Sequence, residues 1–322
     1  MKKLIHKGFI AFASMLVVAA AYAQTYPSKP VTILVPHAAG GANDAVARPF
    51  AQRMSSALNQ PFVVENRAGA GGNIGTSSVV RAPKDGYTLL LTVGSSHTIN
   101  PHIYKSPGFD PVGDFNPIAL IATAPYVLVV NPSLPVQSVT DLIALAKSKP
   151  GEIYMASAGN GSLDHLLGEM FKKEAGVNLV HVPYKGAAAA NTDLVAGQVS
   201  VTFTSWPSVM SFVKAGKLRL IAVASEKRSP LIPDVPTISE SVPGVSAVSW
   251  YGLLTPKGTP SDVVTKLRSD VSKVLADPEF ASTLIGQGAE VATLPPKEFG
   301  GLIQTDLAKW SEIVKLTGAE VN

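Results

Sequence analysis

The chain has 322 residues, 46% hydrophobic and 16% charged, with 27 Gly, 25 Pro and no cysteine. This is ordinary globular composition, which excludes disorder, collagen and disulfide scaffolds and leaves no thiol for a nucleophile, a zinc–cysteine site or lipid attachment. The formal charge of +4 (27 Lys+Arg against 23 Asp+Glu) falls to +1 without Lys2, Lys3 and Lys7, since 24 basic residues then face 23 acidic ones; the rest are scattered, so no nucleic-acid face is expected.

In chain order, residues 1–23 read as a secretory signal: a basic start, an apolar stretch from Gly8 to Ala20, and the small-residue site Ala21-Tyr22-Ala23. The apolar run is shorter than the ~20 residues that span a bilayer. A soluble periplasmic protein beginning at Gln24 is expected.

Apolar, β-branched runs predict strands at Thr32 to Val35, Phe62 to Glu65, Thr88 to Val93, Tyr126 to Val130, Ile153 to Ala156, Leu179 to Val182, Val199 to Phe203 and Leu218 to Val223. Runs of this kind are typical of parallel strands covered on both faces and joined by crossover helices. The stripe Val46, Phe50, Met54 and Leu58 predicts a helix over Asn43 to Leu58, which Pro49 is expected to kink or delay. Leu163, Leu166, Leu167, Met170 and Phe171 predict a helix over Leu163 to Ala175, started by Ser162. Another is expected from Thr259-Pro260, with Thr259 capping and Asp262 completing a capping box, and a last one from about Lys297 with Leu302, Ile303, Leu307, Trp310 and Val314 inward. Ile118 to Asn131 and Ser246 to Pro256 read as two passages between domains. They divide the mature chain into a discontinuous domain 1, 24–124 plus 248–322, and a domain 2, 125–247. The fold class is α/β, two doubly wound domains joined by two crossing strands, and two crossings make a hinge around a closable cleft.

Loops at strand carboxyl ends are where such sheets bind ligands, because backbone N–H groups and helix amino termini point into the crevice. Here they carry His37, Ala39, Gly40 and Asp44, then Ser95, Ser96 and His97, then Asn160 and Ser162, then Lys185, and finally Thr204 and Ser205. Neither a G-x-G-x-x-G nor a P-loop pattern is present, and Gly69 to Gly75 fits a tight connection as well as a ligand loop. Hydroxyls, amides and helix termini with few cations match an anion held by neutral donors. Four or five hydrogen bonds of about 1.5–3 kcal/mol each are enough for the ~8 kcal/mol of micromolar binding. A carboxylate is favoured over phosphate, which usually recruits Arg or Lys. Asp44 reads first as a helix cap and alternatively as a partner for a ligand ammonium or hydroxyl.

Enzyme readings are weaker. The six histidines show no His-x-x-x-His spacing, so no metal or cofactor is expected. Gly75 to Val79 is one residue short of a nucleophile elbow. A spatial set of Ser95 or Ser96, His97 and Asp44 keeps a secreted serine hydrolase as an alternative. His165 is expected to pack or hydrogen-bond near its helix start.

The chain resembles the Bug-type periplasmic solute-binding receptors of tripartite tricarboxylate transporters. The resemblance rests on the order and spacing of Tyr26-Pro27-Ser28-Lys29-Pro30, Gly40-Gly41 with Asp44 and Arg48, Val64-Glu65-Asn66-Arg67, Gly71-Gly72-Asn73-Ile74-Gly75, Pro83-Lys84-Asp85-Gly86-Tyr87, Gly159 to Ser162 with His165, Val182-Pro183-Tyr184-Lys185-Gly186, Asp234-Val235-Pro236-Thr237 and Trp250-Tyr251-Gly252. It implies a type II periplasmic binding protein, a monomer without cofactor. Its two domains would close over a small organic carboxylate (a di- or tricarboxylate, an aromatic acid or an amino acid) and deliver it to membrane permease subunits. A ligand sensor docking on a signalling kinase is the alternative. Carried over by position, the resemblance points to Ala39, Gly40, Asp44, Ser95, Ser96, His97, Asn160, Ser162, Thr204 and Ser205. His37 stands where an aromatic or aliphatic residue is commoner, which bears on ligand choice.

Overall fold

The computed structural model describes residues 26–319; the expected signal segment and its cleavage site lie outside them. The chain begins β1 (Val31–Val35), α1 (Ala42–Leu58), β2 (Phe62–Asn66), α2 (Asn73–Val80), β3 (Thr88–Val93) and two short helices, α3 (Gly94–Thr98) and α4 (Asn100–Ile103). It continues through β4 (Phe115–Val130), α5 (Val139–Ser148), β5 (Tyr154–Ser157), α6 (Leu163–Ala175), β6 (Val180–Pro183), α7 (Ala187–Val195), β7 (Val201–Ser205), α8 (Trp206–Lys214) and β8 (Arg219–Val223). It ends with β9 (Val248–Pro256), α9 (Ser261–Leu275), α10 (Pro278–Gly286), β10 (Glu290–Val291) and α11 (Pro296–Thr317).

The strands form one curled sheet of order β2-β1-β3-β9-β4-β7-β5-β6, with β8 and β10 also paired to β4. β4 is the axis of the molecule. Its residues Phe115 to Pro125 pair with β9, and from Tyr126 to Val130 it pairs with β7. The expectation of parallel strands holds for β1 with β2 and β3 and for β5 with β6 and β7. It fails for β4 and β9, which run antiparallel to their neighbours. A strand that passes directly from one ladder into the next has no crossover helix to restore a common direction.

Two other local expectations are corrected. α1 runs through Pro49 without interruption from Ala42. The lost hydrogen bond and ring clash cost about 3 kcal/mol, but Val46, Phe50 and Met54 are all buried, and each such side chain returns about 1.5–3 kcal/mol. Thr259 does not cap α9: its hydroxyl donates to the Pro256 carbonyl at 2.8 Å, and the cap position is held by Pro260 without a side-chain bond.

Apolar packing follows the two ladders. Ile33, Phe50, Leu89, Tyr251 and Phe280 belong to one core, and Leu128, Met155, Leu167, Phe171 and Phe203 to another. α11 reaches from the second core, which Trp310 and Val314 enter, to a third cluster in which Phe299 and Ile303 pack beside β3 and β9 residues. His97 is also a core residue, fully buried. Its ring stacks on Phe109 at 5.7 Å between centroids and lies edge-on to Phe115 and Trp250, while Nε2–H donates to the Pro111 carbonyl at 2.9 Å.

Two expected outcomes follow from this packing. A Cβ on Gly252 would collide with the Phe299 ring, so Gly252→Ala should cost about 1–3 kcal/mol, read as a lower Tm; an unchanged Tm would mean that the β9–α11 seam has slack. Burial holds the His97 imidazole down to about 4, whereas in the unfolded chain it takes up a proton near 6.5. The unfolded state therefore binds the extra proton, and stability falls as pH falls through that window, by about 2 kcal/mol from pH ~7 to ~5 for this group. A Tm that rises on acidification, or a decline no shallower in His97→Gln, would contradict this account.

Candidate functional site

The carboxyl ends of β1, β3, β5, β6 and β7 open onto a cavity of about 470 Å³ lined by loops from both ladders. One wall carries His37, Gly71, Ser95, Ser96, Asn100, Ile103 and Tyr104; the other carries Tyr126, Ala158, the Asn160 to Asp164 segment, Gly186, Ala187, Thr204 and Ser205. The amino ends of α6, α7 and α8 face this space, where their first N–H groups have no intrahelical acceptor. Gly186 and Ser205 make no side-chain cap at the start of α7 and α8.

Of the twelve loop residues singled out by sequence, His37, Ser95, Ser96, Asn160, Ser162, Thr204 and Ser205 meet in this cavity, and Lys185 is not among the residues that line it. Ala39, Gly40 and Asp44 do not; they line a separate space of about 540 Å³ with Arg48, Pro49, Gln52 and Gln287. Asp44 is spent locally, accepting from the Gly40 N–H at 2.8 Å, Arg48 Nε at 2.7 Å and Asn66 Nδ2 at 3.0 Å. It therefore ties down the loop before α1 rather than capping that helix, whose cap is Gly41. Burial pushes its carboxyl up, but these three donors together hold it below the usual range. His97 is likewise absent from the cavity wall, being enclosed among aromatic rings.

Ser95 and Ser205, one on each wall, have hydroxyls without a partner among the described residues. Ser162 Oγ accepts from the His165 N–H at 3.3 Å as the cap of α6. Ser96 Oγ lies 2.9 Å from His37 Nε2, and the other ring nitrogen of His37 faces Asn43 Nδ2 at 3.0 Å. With the Asn43 amide donating to Nδ1, Nε2–H donates to Ser96 Oγ, and the serine proton is left for the cavity. The histidine beside Ser96 is thus His37 rather than His97, and an amide rather than Asp44 stands behind it. Asn100 braces this wall by donating to the Gly71 carbonyl at 2.9 Å and to Asn73 Oδ1 at 2.8 Å. Gly71 has φ +63° and a Cβ there would lie 2.9 Å from the Tyr104 hydroxyl, so only glycine lets this loop approach so closely.

Sequence reasoning missed Gly71, Tyr104, Tyr126 and Asp164. Tyr126 sat inside an apolar strand, with no local sign of which face it takes. Asp164 is two residues past the cap of α6, a position whose exposure to the crevice was legible once Ser162 was placed there. His165, expected to bond near the helix start, accepts from the Gly161 N–H at 3.2 Å and stacks on His181 at 4.0 Å.

No Lys or Arg lines the cavity among the described residues. Burial holds His37 down to about 4, so its ring is neutral. Asp164 is pushed up to about 6 by burial, against the pull of its Tyr126 and Ala158 donors. Burial and the adjacent Asp164 raise Tyr126 well above its ordinary value, so its hydroxyl keeps its proton. Among the described residues, no three metal-ligating side chains come together, and no helix is long and apolar enough to cross a membrane.

Comparison with known proteins places this geometry in a family. Residues 46–319 match the family model described as "Tripartite tricarboxylate transporter family receptor". The chain is 35% identical to the protein BugT of Bordetella pertussis, over 97% of this chain and 96% of that one. Among solved structures, Rpa4515 of R. palustris with adipate superposes with a TM-score of 0.83 at 38% identity, covering 92% of this chain and 100% of the other. MatC from Rhodopseudomonas palustris with bound malate superposes at 0.78 with 30% identity, covering 90% and 100%. The fold is that of type II periplasmic binding proteins, and the chain belongs to the tripartite tricarboxylate transporter receptor family, the Bug-type solute-binding proteins.

Proposed function

We propose that this protein captures a small organic carboxylate in the 470 Å³ cavity and hands it to the membrane permease subunits of a tripartite transporter after export to the periplasm. In this reading 24–124 plus 248–322 form one lobe, 125–247 form the other, and the two close about the passages through β4 and into β9. The observation that carries it is the cavity wall: unspent Ser95 and Ser205 hydroxyls and the amino ends of α6, α7 and α8 converge where no cation stands. Relatives solved with adipate and with malate support an organic acid as the occupant. Dipoles fixed by the fold need no reorganisation to receive a carboxylate, and each hydrogen bond to it is worth about 1.5–3 kcal/mol.

Catalysis forms no part of this reading. The Asn43 amide behind His37 supplies no charge to stabilise an imidazolium, as a triad carboxylate would. Ester turnover abolished by Ser96→Ala would overturn it.

Thermal-shift screening of mono-, di- and tricarboxylates, including aromatic acids and amino acids, should give a stabilised hit, since ligand at about 100 times its Kd adds ~2.7 kcal/mol. Ser95→Ala and Ser205→Ala should each weaken that ligand about 10- to 150-fold, the equivalent of one charged hydrogen bond. Because neither hydroxyl supports the fold, Tm of the free protein should stay within about 1 °C. Full affinity in both variants would remove these walls from the site.

A further inference from the structure

The cavity contains one group at odds with an anion site. Asp164 is 4% exposed, lines the cavity from the second residue of α6, and has only neutral partners. Its Oδ1 accepts from the Tyr126 hydroxyl at 3.0 Å and its Oδ2 from the Ala158 N–H at 3.2 Å. The Asp164 backbone N–H is a third donor, and a carboxylate has about four acceptor positions on its two oxygens, so one stays open among the described residues. These donors, at the positive end of α6, favour the charged form against the burial that opposes it.

We propose that Asp164, steadied by Tyr126, sets the specificity of this cavity: it selects an organic acid whose second polar group is an ammonium, an aminocarboxylate, and rejects the fully ionised dicarboxylate of the same length. The inference rests on the receptor reading above and narrows its ligand class. The hydroxyl and N–H groups take the ligand carboxylate, and the ammonium completes the shell of Asp164 as a charge-assisted pair. A dianion would instead bring a second carboxylate beside a buried one with no cation on the wall to offset it. Specific sites combine attractive contacts to one ligand with a built-in repulsion against its competitor, as here.

The titratable groups around Asp164 are Tyr126 from β4, His165 beside it on α6 with His181 stacked behind, and His37 and Tyr104 on the opposite wall. Burial lowers His37, His165 and His181 and raises both tyrosines. Burial brings Asp164 itself to about 6.

The test is calorimetry on the mature protein and its Asp164→Asn variant at pH ~7.5, using length-matched pairs: succinate and 4-aminobutanoate, glutarate and 5-aminopentanoate, adipate and 6-aminohexanoate. In the wild type at least one aminocarboxylate should bind tenfold or more tightly than its partner, and Asp164→Asn should move that ratio at least tenfold toward the dicarboxylate. A wild-type preference for the dicarboxylates, or a ratio unchanged in Asp164→Asn, overturns the inference while leaving the receptor reading intact. Should no pair and no acid of the wider panel bind, both fall together. Should Asp164→Asn not fold, wild-type adipate titrations near pH 6.5 in buffers of different ionisation enthalpy decide: adipate should bind with uptake of most of a proton, and binding with none overturns the inference.

Discussion

The constraint on which the molecule depends is that one unbroken strand belongs to two ladders. β4 pairs with β9 as far as Pro125 and with β7 from Tyr126 onward, so the partner exchange occurs between adjacent residues. Backbone groups in a buried strand must be paired. The strand cannot leave the first ladder without at once entering the second, and the loops at the ends of β1 and β3 are thereby held opposite those of β5, β6 and β7. The cavity is the gap between these two sets of loops. Its shape follows from sheet geometry before any side chain is considered.

What the cavity recognises follows from which charges the fold excludes. Lys and Arg are missing from the wall among the described residues, and burial keeps His37 neutral. In the proposed receptor reading, attraction for an anion is left to dipoles already oriented by secondary structure, which favours a group that can accept several short hydrogen bonds at once. Asp44 shows how easily such a site is misread from one dimension. Its carboxylate sits at the start of a helix in the most suggestive loop of the chain, yet Arg48, Asn66 and the Gly40 N–H take three of its acceptor positions and it lines a different space. Asp164 has fewer partners and faces the cavity.

Behind the cavity, α11 runs from the second core to the cluster beside β3 and β9. Trp250 Nε1 donates to Asp306 Oδ2 at 2.7 Å, and Lys309 Nζ donates to the Ser246 carbonyl at 2.6 Å, so the helix grips the chain just before and within β9. Burial raises Asp306 and lowers Lys309. Both line a second space of about 530 Å³ with Thr123 of β4. The final helix is thus bonded to β9 and to the segment just before it.

The sequence by itself determined the α/β class, the boundaries of β3 and α6, and the set of loops that supply most of the wall. These are local: apolar runs, the Ser162 cap and turn glycines act within a few residues of themselves, so their signals survive in one dimension. It also carried the family, through many short motifs in fixed order. Only the tertiary structure decided that β4 and β9 run antiparallel to their neighbours, that α1 tolerates Pro49, that His97 belongs to the core while His37 meets Ser96, and that Asp164 rather than Asp44 faces the cavity. Each of those outcomes depends on what packs against a residue from a distant part of the chain. Burial, hydrogen-bond saturation and pKa are properties of that company, and a linear pattern does not contain them.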